Sequence, residues 1–150
     1  MSNQTNNPGL EPPKGWLKGL VPTMNDTGFM FEILDNFAEE FIEYSGTCNE
    51  EVLEFGCAYG VATLPALAAG ATIRACDIDT RHLAILRSRV PADQLSRLTT
   101  EIQRLPNAEL PENHFGAIFC SRVFHFLTGA EIDASLANMY RWLKPGGKLY

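Results

Sequence analysis

A chain of 150 residues, 45 % apolar and 20 % charged, is one domain's worth of ordinary globular material. Its formal charge of −6 argues against a surface built to neutralise duplex phosphates. No run reaches the roughly 20 apolar residues that a membrane span needs.

Residues 1–28 read as a mobile tail and lead-in. The opening MSNQTNNPGL is polar and lacks the apolar core of a signal peptide. From Phe29 to Tyr44 the pattern becomes helical. Phe29, Ile33, Phe37 and Phe41 mark a core-facing stripe, and Gly46 is expected to end the helix. Glu39, Glu40 and Glu43 lie off that stripe, as a solvated acidic face does. Glu51–Phe55 reads as a strand, and Val61–Ala69 as a helix with Pro65 in its first turn and Gly70 closing it. Ala71–Cys76 is a second strand, Thr80–Val90 a helix capped by Asp79, and Leu98–Ile102 and Phe115–Cys120 two further strands. Thr128 and Glu131 form a capping box, and the helix they open is expected to stop at Lys144-Pro145-Gly146-Gly147. Lys148-Leu149-Tyr150 starts a fifth strand. Strands alternating with helices imply a doubly wound α/β fold with a mostly parallel sheet.

Cys48, Cys57, Cys76 and Cys120 contain no C-x-x-C pair and read as reduced core residues of a cytoplasmic protein. No histidine has an i, i+4 partner, so no metal site is expected.

In doubly wound sheets, ligands bind beyond the carboxyl ends of the strands. Three segments converge there. The first is Glu54-Phe55-Gly56-Cys57-Ala58-Tyr59-Gly60. Gly56 permits a turn, Gly60 permits close helix approach, and amides at the helix start favour an anion. A dinucleotide fingerprint needs glycine where Ala58 and Val61 stand, so a pyrophosphate is poorly served. Glu54 suits an ammonium group, and an amino acid moiety carries both charges. The second is Asp77, about twenty residues after the glycine loop, where an acid can accept from both hydroxyls of a ribose. The third holds Glu101, placed to accept from an adenine amine, and Ile102, placed to pack on the ring.

The glycine loop, Asp77, the run Phe115–Ser121 and the exit Leu143–Leu149 together resemble the ordered motifs of class I S-adenosylmethionine-dependent methyltransferases, over about residues 50–150. The resemblance implies a Rossmann-like fold, S-adenosylmethionine as cofactor and methyl transfer to an acceptor, expected to be a small molecule. It implies that Glu54, Gly56, Cys57, Ala58 and Gly60 surround the methionine part, that Asp77 holds the ribose and that Ile78 flanks the adenine with Glu101 and Ile102. Cys120 and Ser121 would lie near the sulfonium methyl, and Phe29, Met30 or Phe31 would close over the cofactor. His125, after the fourth strand, is the candidate base.

Two departures stand out. Gly116 replaces an acid common in the family, and the family's seven-stranded sheet is expected to be cut off here as its fifth strand begins. The competing readings are an NAD(P)-dependent oxidoreductase and a catalytically silent cofactor-binding or assembly module.

Overall fold

The computed structural model describes residues 11–15, 19–25 and 27–150; of the tail and lead-in expected over residues 1–28, residues 1–10, 16–18 and 26 lie outside them. Two short strands, β1 (Leu20–Pro22) and β2 (Phe29–Phe31), pair antiparallel as a ribbon. Then follow α1 (Asn36–Thr47), β3 (Val52–Phe55), α2 (Thr63–Ala68), β4 (Ile73–Asp77) and α3 (Thr80–Arg89). The chain continues through β5 (Leu98–Ile102), β6 (Phe115–Cys120), α4 (Gly129–Trp142) and β7 (Leu143–Leu149).

The main sheet has the order β5-β4-β3-β6-β7, and every pairing in it is parallel. This is the doubly wound, Rossmann-like α/β architecture the alternation implied. All four residues of β3 are buried, as a central parallel strand covered on both faces requires. One face carries Val52, Ile73 and Phe119 beneath α1, α2 and α3. The other carries Leu53, Phe55 and Ile118 beneath Met139 and Trp142 of α4. Because β3 is flanked by β4 on one side and β6 on the other, the strand order reverses between β3 and β6. The crevice at their carboxyl ends is the expected ligand position.

The helix expected over residues 29–44 is corrected to Asn36–Thr47. Asp35 is extended (φ −96, ψ 172), and its carboxylate accepts from the Ala38 amide, which starts the helix there. Phe29 and Phe31 belong to β2 instead. The apparent stripe therefore runs through strand, turn and helix, and Phe41 alone of its four members is buried, while Phe37 stays 67 % exposed. Gly46 lies within α1 and does not end it. A Cβ there would stand 2.8 Å from the Ala69 carbonyl oxygen, so glycine lets α1 approach the end of α2.

The last helix ends at Trp142, earlier than expected. Leu143 already pairs with Phe115, and the next pairing joins Ala117 to Lys148, so the Pro145–Gly147 segment bulges out of the ladder. The capping box at Thr128 and Glu131 forms as read.

Candidate functional site

A cavity of about 360 Å³ opens at the crevice between the carboxyl ends of β3 and β6. The loop after β3 forms its floor, the end of β4 and the segments after β5 and β6 its sides, and the ribbon with the start of α1 its roof.

The loop is shaped by three left-handed residues: Gly56 (φ 70), Ala58 (φ 42) and Gly60 (φ 89). A Cβ on Gly56 would meet Val123 at 2.6 Å, and one on Gly60 would meet Leu86 at 2.4 Å. Gly60 thus lets α3 close onto the loop and does not itself line the cavity. Four of the loop amides are already paired within the chain. Gly56 and Cys57 donate to the Cys76 carbonyl, Gly60 donates to the Cys57 carbonyl, and Ala58 donates to Asp77 Oδ2 at 2.9 Å. The amides of Val61 and Ala62, nearer the helix start and lining the cavity, take no acceptor among the described residues. A pyrophosphate would find the Gly56, Cys57, Ala58 and Gly60 donors already spent.

Asp77 is buried and heavily bonded. Oδ2 takes the Ala58 amide, while Oδ1 takes the Asp79 amide at 3.0 Å and lies 3.0 Å from Nδ1 of His82. A carboxylate has about four acceptor positions. Three are used, which leaves about one, on Oδ2. Asp79 caps α3 as expected, accepting from the Arg81 amide.

Glu54 is 4 % exposed and lines the cavity. Its Oε2 accepts from the Thr63 hydroxyl, and Oε1 takes no hydrogen bond among the described residues. Burial pushes its carboxyl up to about 7; the Thr63 bond opposes that rise and the charge of Asp77 adds to it. Cys57 also lines the cavity, and burial raises its thiol well above the ordinary value, so it stands there as a small neutral surface.

The structure brings Glu54, Gly56, Cys57, Ala58, Asp77, Ile78 and Ser121 together around the cavity. Besides Gly60, four residues expected beside them stand elsewhere. The Glu101 carboxylate turns to Arg74 at 3.0 Å, and Arg74 also bonds Glu51 at 3.1 Å, so Glu101 is held by an ion-pair network on the sheet. Ile102 is 58 % exposed and borders, with Glu101, a separate shallow depression against α3. Cys120 ends β6 just short of the cavity, its thiol pushed up to about 12 by burial. His125 is exposed on a short turn, its ring 3.9 Å from that of Phe126, and does not line the cavity.

Other lining residues were not anticipated. Arg104 and Leu105 take the side expected of Glu101 and Ile102, because the chain leaving β5 turns back toward the crevice. The ribbon contributes Thr23, Asn25 and Thr27 besides Phe29, Met30 and Phe31, so those three apolar residues reach the cavity from a strand and not from a helix. Arg122 joins roof to side: its guanidinium lies 3.3 Å from Asp35 and 4.6 Å over the Phe31 ring. His82 was legible only as a histidine in the first turn of the helix after Asp77.

Comparison with known proteins agrees with this geometry. A family model described as a methyltransferase domain matches residues 52–147. The chain is 35 % identical over 105 residues to a demethylmenaquinone methyltransferase of Tropheryma whipplei, covering 69 % of this chain and 41 % of that protein. An uncharacterized methyltransferase of Synechocystis is 30 % identical over 101 residues, covering 66 % of this chain and 44 % of the relative. Among solved structures, the glycopeptide N-methyltransferase MtfA complexed with S-adenosyl-L-methionine superimposes with a TM-score of 0.66 at 30 % identity, covering 75 % of this chain and 51 % of that one. The chain thus spans about half the length, or less, of these relatives. A matching family model over most of the chain, laid on a parallel sheet whose crevice gathers the glycine loop and Asp77, shows that the chain belongs to the class I S-adenosylmethionine-dependent methyltransferase family.

Proposed function

We propose that the chain binds S-adenosylmethionine and serves methyl transfer to a small-molecule acceptor. The observation that carries the reading is the pairing, across one cavity, of Glu54 with the thrice-bonded Asp77, beside a loop whose Gly56, Cys57, Ala58 and Gly60 amides are already taken.

The residues fit the cofactor. Glu54 would hold the ammonium of the methionine part, since its Oε1 is uncommitted and a cation would stabilise its ionised form. Asp77 would accept from one ribose hydroxyl through Oδ2. Ile78, 41 % exposed, would flank the base, with Arg104 and Leu105 in place of Glu101 and Ile102. Bound there, the cofactor supplies an electrophilic methyl on a sulfonium.

The chain's own contribution is alignment and exclusion of water. Phe29, Phe31, Phe126 and Leu127 give the cavity an apolar rim, which suits an acceptor with a hydrophobic body. The similarity to a demethylmenaquinone methyltransferase supports a small acceptor. With His125 outside the cavity, no base role is assigned to it. The four free cysteines support a cytoplasmic setting, and no helix among the described residues is long and apolar enough to cross a membrane.

Calorimetric titration with S-adenosylhomocysteine and, separately, with NADH tests the reading. Binding of the first alone is expected; binding of NADH alone would overturn it.

A further inference from the structure

Among the described residues, three hydrogen bonds tie the ribbon to the cofactor half of the fold. The Tyr59 hydroxyl donates to the Pro22 carbonyl at 3.0 Å, and Arg81 Nη2 donates to the Met24 carbonyl at 2.6 Å. The third tie differs in kind: the Met24 backbone N–H donates to Nε2 of His82 at 3.1 Å. An accepting Nε2 carries no proton, so the proton of the ring sits on Nδ1 and is donated to Asp77 Oδ1 at 3.0 Å. His82 is 2 % exposed, and the Tyr59 ring meets it edge-on at 5.1 Å. A neutral imidazole of fixed tautomer therefore bridges the backbone of the roof and the acid at the end of β4 in the cavity's side.

We propose that His82 is a positioning residue that couples seating of the ribbon over the cavity to the orientation of Asp77 toward the cofactor; this rests on the reading that the cavity takes S-adenosylmethionine. With Oδ1 held by His82 and the Asp79 amide, the one acceptor direction left on Asp77 belongs to Oδ2, beside the loop. When the Met24 amide leaves Nε2, the imidazole loses one of the two bonds that set its plane. Asp77 then loses the orientation of its Oδ1 partner. The Tyr59 and Arg81 ties hold the same ribbon without touching Asp77, since Arg81 pairs with Asp79. Coupling of this kind is reciprocal: a ligand that fixes Asp77 must also hold the Met24 amide more tightly.

Two variants of the full chain separate this role from mere support of the fold. His82→Asn keeps a side-chain N–H near the Nδ1 position for Asp77 and removes the acceptor for Met24. Met24→Pro removes the donor and leaves His82 and Asp77 intact, which keeps the test available if His82→Asn does not fold. In the unsubstituted chain, S-adenosylhomocysteine is expected to slow hydrogen exchange at the Met24 amide. In either variant, affinity for that ligand is expected to fall about five- to tenfold, the worth of one hydrogen bond. In His82→Asn, exchange at Met24 should no longer respond to ligand. Equal affinity in the unsubstituted chain and in a folded variant overturns the inference and leaves the cofactor reading standing. So does ligand binding with no effect on Met24 exchange in the unsubstituted chain. Absence of binding in the unsubstituted chain defeats the cofactor reading, and the coupling falls with it.

Discussion

Oδ2 of Asp77 accepts the backbone N–H of Ala58 at 2.9 Å, so the acid that ends β4 holds down the loop that leaves β3. Asp77→Ala would leave the Ala58 and Asp79 amides and the His82 Nδ1–H without their partner. Each unsatisfied buried group costs about 1–3 kcal/mol, so stability is expected to fall by about 3 kcal/mol or more, and affinity for S-adenosylhomocysteine by about 1.5–3 kcal/mol in the folded fraction. Urea unfolding followed by calorimetry separates the two losses. A variant that folds and binds at full strength would remove Asp77 from the ligand site.

Glu54 gives a pH signature. Its carboxyl ordinarily titrates at 4.5 and is raised to about 7 in the fold, chiefly by burial. Below 4.5 the carboxyl is protonated in both states. Between 4.5 and about 7 the unfolded chain has lost the proton and the folded chain still holds it, so stability falls as pH rises through that window. Glu54→Gln should flatten this slope and stabilise the chain near pH 8 by about 3 kcal/mol, the worth of the shift. Ligand binding should run the other way. An ammonium needs the ionised carboxylate, so affinity should rise from pH 5 to about 7 with release of a proton. Titrations in buffers of different ionisation enthalpy read that proton directly; binding without proton release would detach Glu54 from the ammonium.

Ala58 stands at φ 42, where an L-residue is strained. The left-handed region costs about 1–2 kcal/mol, against about 0.4–1 kcal/mol for the extra unfolded-state freedom of glycine. Ala58→Gly is therefore expected to stabilise the chain by up to about 1 kcal/mol, seen as a higher denaturant midpoint at unchanged slope. A clear loss of stability would show that the Ala58 methyl packs to more effect than the strain it carries.

Gly116, the family departure in β6, has a steric cause. A Cβ there would lie 2.4 Å from Cys48 Sγ and 3.0 Å from Glu50 Cβ, both on the segment that leads from α1 into β3. Gly116→Ala is expected to cost about 1–3 kcal/mol by overpacking. The double change with Cys48→Ala should recover most of that loss, because the nearest clash is with the sulfur. No recovery in a thermal-unfolding double-mutant cycle would place the conflict at Glu50 instead.

The strands and the capped helices were legible because their signals are local. Asp79 and Thr128 announce helix starts, and the apolar runs of β3 and β6 announce buried parallel strands. The loop and Asp77 were legible because the glycines and the acid keep a spacing set by one strand–helix–strand unit. The roof was not, because Phe29 and Phe31 take their conformation from pairing with Leu20–Pro22, a partner that periodicity does not show. Glu101 misled because its charge is met by Arg74 on the neighbouring strand, a cross-strand contact invisible in a linear reading. His82 escaped for a similar reason: its two partners lie five residues before it and 58 residues away.

The bulge at Pro145–Gly147 bears on how the chain behaves in concentrated solution. Among the described residues β7 pairs with β6 alone, and within them its outer side has no strand partner. An edge with a regular row of N–H and C=O groups recruits strands from other chains. Here Pro145 has no N–H to offer, and the glycines carry the backbone out of line between Leu143 and Lys148. An incoming strand meets a broken row and cannot zip along it. Straightening that row, by deleting Gly146 and Gly147 and replacing Pro145 with valine, is expected to raise the light scattering of these 150 residues on concentration, relative to the unsubstituted sequence. The kink that lets β7 follow α4 without a turn thus leaves that side of β7 with a broken row of backbone partners.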